Sequence, residues 1–257
     1  MVSLAFDELA CSIGQQDLKI NDSISVHIPT IREIMDFGEN LYWNLISVVT
    51  RRPYDVAVEL WDKGIDYQSI SDYDLFIESI TYFPPELTSI LFGELDFSSF
   101  QLCRNALNDQ RCLACKSNPS IIIDEALYRK IVSFVRCAHF MSEKVEFDAA
   151  NQKTKEFLID RLRRKRKKYL RDLELGKIRH TSTIADLIKF CVNHPGFKYD
   201  YSSILDLKIN LLYESFYTIQ HLDNREQLIT GIYGGTIDVS KLSDKKAIQP
   251  IVDLHAL

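Results

Sequence analysis

No run of about 18 consecutive apolar residues occurs in the chain, so no transmembrane helix is expected. Met1 to Asp7 bring no basic segment ahead of an apolar one, and Asp7 and Glu8 interrupt the start, so no secretory signal is expected. None of the six histidines sits in a His-Glu-x-x-His pair, and no Gly-x-Ser-x-Gly elbow occurs. Gly231-Ile-Tyr-Gly-Gly235 has neither the spacing of a dinucleotide fingerprint nor the Lys-Ser/Thr of a P-loop, and reads as a helix end. The sequence therefore offers no nucleophile with its base, no catalytic metal signature and no cofactor cradle. No internal repeat of fixed period is present either.

What is there is ordinary for a folded protein. The 257 residues are 46% hydrophobic and 26% charged, enough to build one large domain or two small ones without staples. The net charge of −5 argues against a protein given over to wrapping duplex DNA, yet it permits one basic face on an acidic body. With no export signal the six cysteines are expected reduced, and Cys11 and Cys191 read as buried thiols.

The patterning predicts a mainly α (α+β) fold. Leu18, Ile20, Ile24, Val26 and Ile28 alternate with polar residues as in a strand. Gly14-Gln-Gln16 would turn an earlier strand, Ser3 to Ile13, back onto it. Residues 1–28 are thus expected to form a β-hairpin arm, 29–240 a helical domain, and 241–257 a C-terminal tail. Thr30 and Glu33 have capping-box spacing ahead of a helical stripe through Val48, weakened in its middle by Gly38. Pro53 and Gly64 bracket a second helix, Ser71 opens a third, and Pro84-Pro85 stops it and begins a fourth. Short strands are expected around Leu95 to Phe100 and at Ile121 to Ile123, with a polar loop between them, pairing with the N-terminal hairpin. Asp124 and Asn151 cap two further helices, and Thr181 to Thr183 open another. Two last helices are read from Ser202 to Phe216 and from Arg225 to Ile232.

Two clusters carry possible chemistry. Cys112 and Cys115 have the spacing of a zinc knuckle, and Cys137 and His139 follow; four such ligands suit tetrahedral zinc. The second pair is two apart, which on a helix turns the ligands to different faces. The plain alternative is incidental thiols. The other cluster is a basic run, Arg161, Arg163, Arg164, Lys165, Arg166, Lys167, Lys168 and Arg171, over about three helical turns. Like charges so close repel, and a nucleic acid, an anionic surface or an acidic patch on the protein itself would relieve them. A solvated or protein-binding face is the plain alternative. The carboxylates of Trp61-Asp62, Asp66-Tyr67 and Asp72-Tyr-Asp74 alternate with turn formers and suit caps and turns better than glycoside chemistry.

Several blocks resemble a protein family encoded in the tail-gene regions of tailed phages of Gram-positive bacteria. They are Ile28-Pro-Thr-Ile-Arg-Glu-Ile34, Pro53-Tyr-Asp55, Leu60-Trp-Asp-Lys-Gly-Ile-Asp-Tyr67 and Ile70-Ser-Asp-Tyr-Asp-Leu-Phe76. Leu91-Phe-Gly-Glu-Leu-Asp-Phe97, Val192-Asn193 with Phe197-Lys-Tyr-Asp-Tyr201, and Gly231-Ile-Tyr-Gly-Gly-Thr-Ile-Asp238 continue the series. The cysteines at 103, 112 and 115 and the basic run depart from the family pattern. The resemblance implies a non-enzymatic tail assembly chaperone in the host cytoplasm, without cofactor, binding a tape-measure or tube protein. A virion structural subunit that forms homo-oligomers is the alternative. A nucleic-acid-binding regulator using helix 161–171 is a third reading, carried by the residues rather than by the family. No membrane partner is expected.

Overall fold

The computed structural model describes residues 14, 17–105, 109–141, 149, 151–177, 183–241 and 248. The protein is mainly α with some β. The expected strand from Ser3 to Ile13 and the tail beyond Lys241, Ile248 apart, lie outside the described residues.

The apolar run from Leu18 to Ile28 folds back on itself. β1 (Leu18–Lys19) pairs antiparallel with β2 (Ser25–Val26), with Leu18 opposite Val26. The turn forms because the Asn21 side chain accepts the backbone N–H groups of Ser23 and Ile24. Ile24, Val26 and Ile28 are buried in the main core. The His27 N–H donates to the carbonyl of Leu91, tying this hairpin to a helix rather than to a sheet. Among the described residues the expected pairing with the later strands does not form, and the two sheets are separate.

The Thr30–Glu33 capping box opens α1 (Ile31–Phe37), and α2 (Glu39–Thr50) follows. The stripe read as one helix is two, because Gly38 adopts φ +101, which breaks the helical path. Pro53–Val56 make one turn before α3 (Ala57–Asp62). A second turn, Tyr67–Ser69, is capped by Asp66. α4 (Asp72–Ile80) starts from the Ser71–Asp74 capping box, and α5 (Pro85–Phe92) starts at Pro85.

The next segment differs from the sequence expectation. Phe97–Ser99 are helical, and the strand begins at Phe100 as β3 (Phe100–Arg104). The segment read as a polar loop contains β4 (Arg111–Cys115), which pairs with β3 on one side and β5 (Ile122–Ile123) on the other. α6 (Glu125–Ala138), capped by Asp124, covers the core. α7 (Gln152–Glu174), capped by Asn151, is the basic helix, and α8 (Thr183–Asn193) follows. After a turn at Ser203–Asp206, α9 (Ile209–Tyr233) runs unbroken where two helices were expected.

One large core takes buried side chains from the hairpin through α9, including Tyr42, Phe76, Phe97, Tyr128, Cys191 and Leu212. Two backbone hydrogen bonds close the chain on itself: Ile31 N–H to Leu207 O, and Ile209 N–H to Pro29 O. A small second cluster, Ala57, Leu60, Tyr67 and Ile159, attaches α7 to α3. Among the described residues no helix is long and apolar enough to cross a membrane.

Candidate functional site

The ends of α2 and α6 lie side by side and leave a groove of about 420 Å³. Trp43, Ile46, Phe140 and Met141 line it with apolar surface, and Arg51, Arg52, Asp55 and Arg136 rim it. Arg136 is held in place, donating to the Thr50 carbonyl at 2.8 Å and to Asp72 at 2.9 Å. Nε of Arg51 is buried with no hydrogen-bond partner among the described residues. An orphaned buried donor of this kind is rare in folded proteins.

Phe140 takes φ +52, a left-handed backbone that a bulky aromatic residue adopts only under constraint. The conformation ends α6 and turns the ring toward Tyr217, 5.4 Å away, and Tyr213, 6.1 Å away. Tyr217 contacts Phe216 at 5.5 Å, and Phe216 contacts Phe190 at 5.0 Å. A row of aromatic rings thus leads from the groove onto α8 and α9.

Below the groove sits a buried polar pair. Tyr42 and His139 are hydrogen-bonded, and Nδ1 of His139 lies 2.6 Å from the Val135 carbonyl. The carbonyl only accepts, so Nδ1 carries the hydrogen and Nε2 accepts from the Tyr42 hydroxyl. Burial pushes His139 down to about 4 and Tyr42 well above its ordinary value, so both are neutral around pH 7. Trp43 packs edge-on against the imidazole at 6.0 Å.

The basic run occupies one helix but does two jobs. Ile159 and Leu162 face α3 in the small cluster. On that side Arg163 pairs with Asp62, Arg166 with Glu59, and Lys155 with Asp66. The Lys155 ammonium holds the Asp66 carboxyl below its ordinary range. The aromatic–acid segments that the sequence presented as caps and turns are therefore also counter-charges for the basic helix. Arg161, Arg164, Lys165, Lys167, Lys168 and Arg171 are exposed and make no ion pair among the described residues. Lys165 and Arg166 border a second groove of about 440 Å³ with Tyr54, Glu59 and Tyr169.

The four candidate zinc ligands are not brought together. Cys112 and Cys115 are both on β4, three residues apart, which places them on opposite faces of the strand. The Cys112 thiol faces Cys103 on the paired strand at 3.3 Å, and Cys115 faces Ser117 at 3.1 Å and Ser99 at 3.6 Å. Cys137 is on α6, and both nitrogens of His139 are engaged as described. Among the described residues no group of three or more His, Cys, Asp or Glu side chains has metal-ligand geometry. Sequence reasoning missed Trp43, Arg51, Arg52, Arg136 and Phe140. They come from two segments far apart in the chain, and the only local hint was the Arg51-Arg52 pair directly after α2.

Residues 177–247 match a family model described as the YomV second domain. The match takes in α8 and α9 and is consistent with a phage protein family. The chain matches no curated protein and no solved structure.

Proposed function

We propose that the protein is a non-enzymatic phage tail assembly factor. In this reading the groove between α2 and α6 holds an apolar segment of a tape-measure or tube protein until the tail polymerises. The groove carries the proposal: an apolar lining under a charged rim takes anchoring side chains of a partner segment and leaves its polar flanks in water. The constrained Phe140 supports it, because its fixed backbone holds an aromatic ring at the groove as a pre-set contact. The family match over residues 177–247 and the resemblance of blocks from Ile28 to Asp238 support the phage context.

The test is affinity capture of a tagged full-length copy from phage-producing cells, with and without nuclease, read by mass spectrometry. Tail proteins are expected in the eluate regardless of nuclease, and Phe140→Glu with Met141→Glu should remove them. The protein itself should be missing from finished particles. Finding it there in stoichiometric amount selects a structural subunit instead, and recovery of no tail protein overturns the proposal.

A further inference from the structure

The exposed surface of α7 has an order that the tail reading does not use. Residues four apart stack along a helix face. Phe157, Arg161, Lys165 and Tyr169 therefore form one ridge, aromatic at both ends and cationic between, about 18 Å long at 1.5 Å per residue. Phe157 is 61% exposed and Tyr169 45% exposed; the row winds around the helix, so Phe157 lies opposite the buried Ile159 while Lys165 and Tyr169 border the groove beside α3. The neighbouring ridge adds Arg164 and Lys168. None of these four cations has an acidic partner among the described residues, whereas the inward-facing Arg163 and Arg166 do.

The charge is segregated. α7 carries ten basic and four acidic side chains, a net +6, on a chain of net −5, so the rest of the molecule carries −11. Arg161–Lys165, Arg164–Lys168 and Lys167–Arg171 are like-charge pairs four apart, each of which weakens the helix. A polyanion along the ridge removes that repulsion. The exposed rings at both ends distinguish the class of polyanion: phosphates alone need no aromatic surface, while unpaired bases stack on one.

We infer that the ridge Phe157–Arg161–Lys165–Tyr169 binds single-stranded nucleic acid, with phosphates on the cations of the two ridges and bases stacked on Phe157 and Tyr169. The site is distinct from the α2–α6 groove and does not rest on the tail reading.

The experiment is fluorescence anisotropy of a labelled oligothymidylate of about 20 nucleotides titrated with full-length protein, from about 50 to 200 mM salt. Four phosphate contacts predict a log–log salt slope near −3, at about −0.7 per contact. Arg161→Gln with Lys165→Gln should weaken binding at least about tenfold and flatten the slope by about 1.4. Phe157→Ala with Tyr169→Ala should weaken it at least about tenfold and leave the slope unchanged. All four positions are exposed, and circular dichroism checks that each variant retains its helix content. Absence of binding at the lowest salt overturns the inference, as does binding that neither double variant changes. Tighter binding of duplex DNA or of polyglutamate than of the single strand also overturns it, by assigning the ridge to another partner.

Discussion

The hydroxyl of Tyr42 donates to Nε2 of His139, 97 positions along the chain, and both side chains are buried. The bond ties α2 to the end of α6, the two elements that wall the groove. It satisfies the one imidazole nitrogen left open once Nδ1–H is committed to Val135.

Replacing Tyr42 by Phe keeps the ring and removes the donor, leaving Nε2 buried and unsatisfied. The expected cost is about 1–3 kcal/mol, or roughly 2–4 °C of melting temperature per kcal/mol for a chain of this size. Thermal unfolding followed by circular dichroism measures it, and a melting temperature equal to that of the parent would show that the bond contributes nothing.

His139 also sets a pH dependence with a definite sign. Its folded value of about 4 lies below the ordinary 6.5, so the unfolded chain takes up the proton first. The stability is complete above about pH 6.5 and is lost as pH falls toward 4, by up to about 3 kcal/mol. The Asp17 carboxyl, pushed up by burial, is drawn below its ordinary 3.8 by His27 and Lys208, so its loss begins at lower pH and separates from the His139 window. Urea midpoints at pH 7.5 and 5 should differ in the parent and converge in His139→Gln. An equal drop in both proteins would assign the effect elsewhere.

α7 is attached through a satellite cluster rather than the main core. Ile159→Ala removes its one fully buried anchor, which is 1% exposed, at an expected cost of about 3 kcal/mol. The loss should be local. Hydrogen exchange should rise in α3 and α7 while α2 and α6 stay protected. Uniform loss of protection would mean that the two clusters unfold together.

For the cysteines, the strand geometry separates Cys112 from Cys115. Cys115→Ser is therefore expected to leave the zinc content of the purified protein unchanged. A chelator should likewise leave its melting temperature within error. Loss of one equivalent of zinc on this substitution would contradict the β4 register.

Where helices begin was legible because the signals are local. Thr30 with Glu33, Ser71 with Asp74, Asp124 and Asn151 each bond backbone groups within three residues, so the sequence by itself determined those starts. The burial of Cys191 and the crowding of cations on one helix were equally visible. Gly38 was seen as a weak point, but whether a glycine bends or breaks a helix depends on the φ that packing imposes. β4 was missed because Arg111–Cys115 lacks strand alternation, its burial being set by α4, which donates from Tyr73 to Arg111 O, and by β5.

The groove and the division of the basic run were decided by tertiary structure alone. Arg163 meets Asp62 across 101 positions and Arg166 meets Glu59 across 107, while Trp43 and Arg51 from α2 and its end converge with Arg136 and Phe140 from α6 and its end. Apolar burial is non-directional, so the sequence announces that α7 will hide Ile159 without saying against what. Only the packed arrangement chooses which cations are neutralised by the body and which are left facing outward.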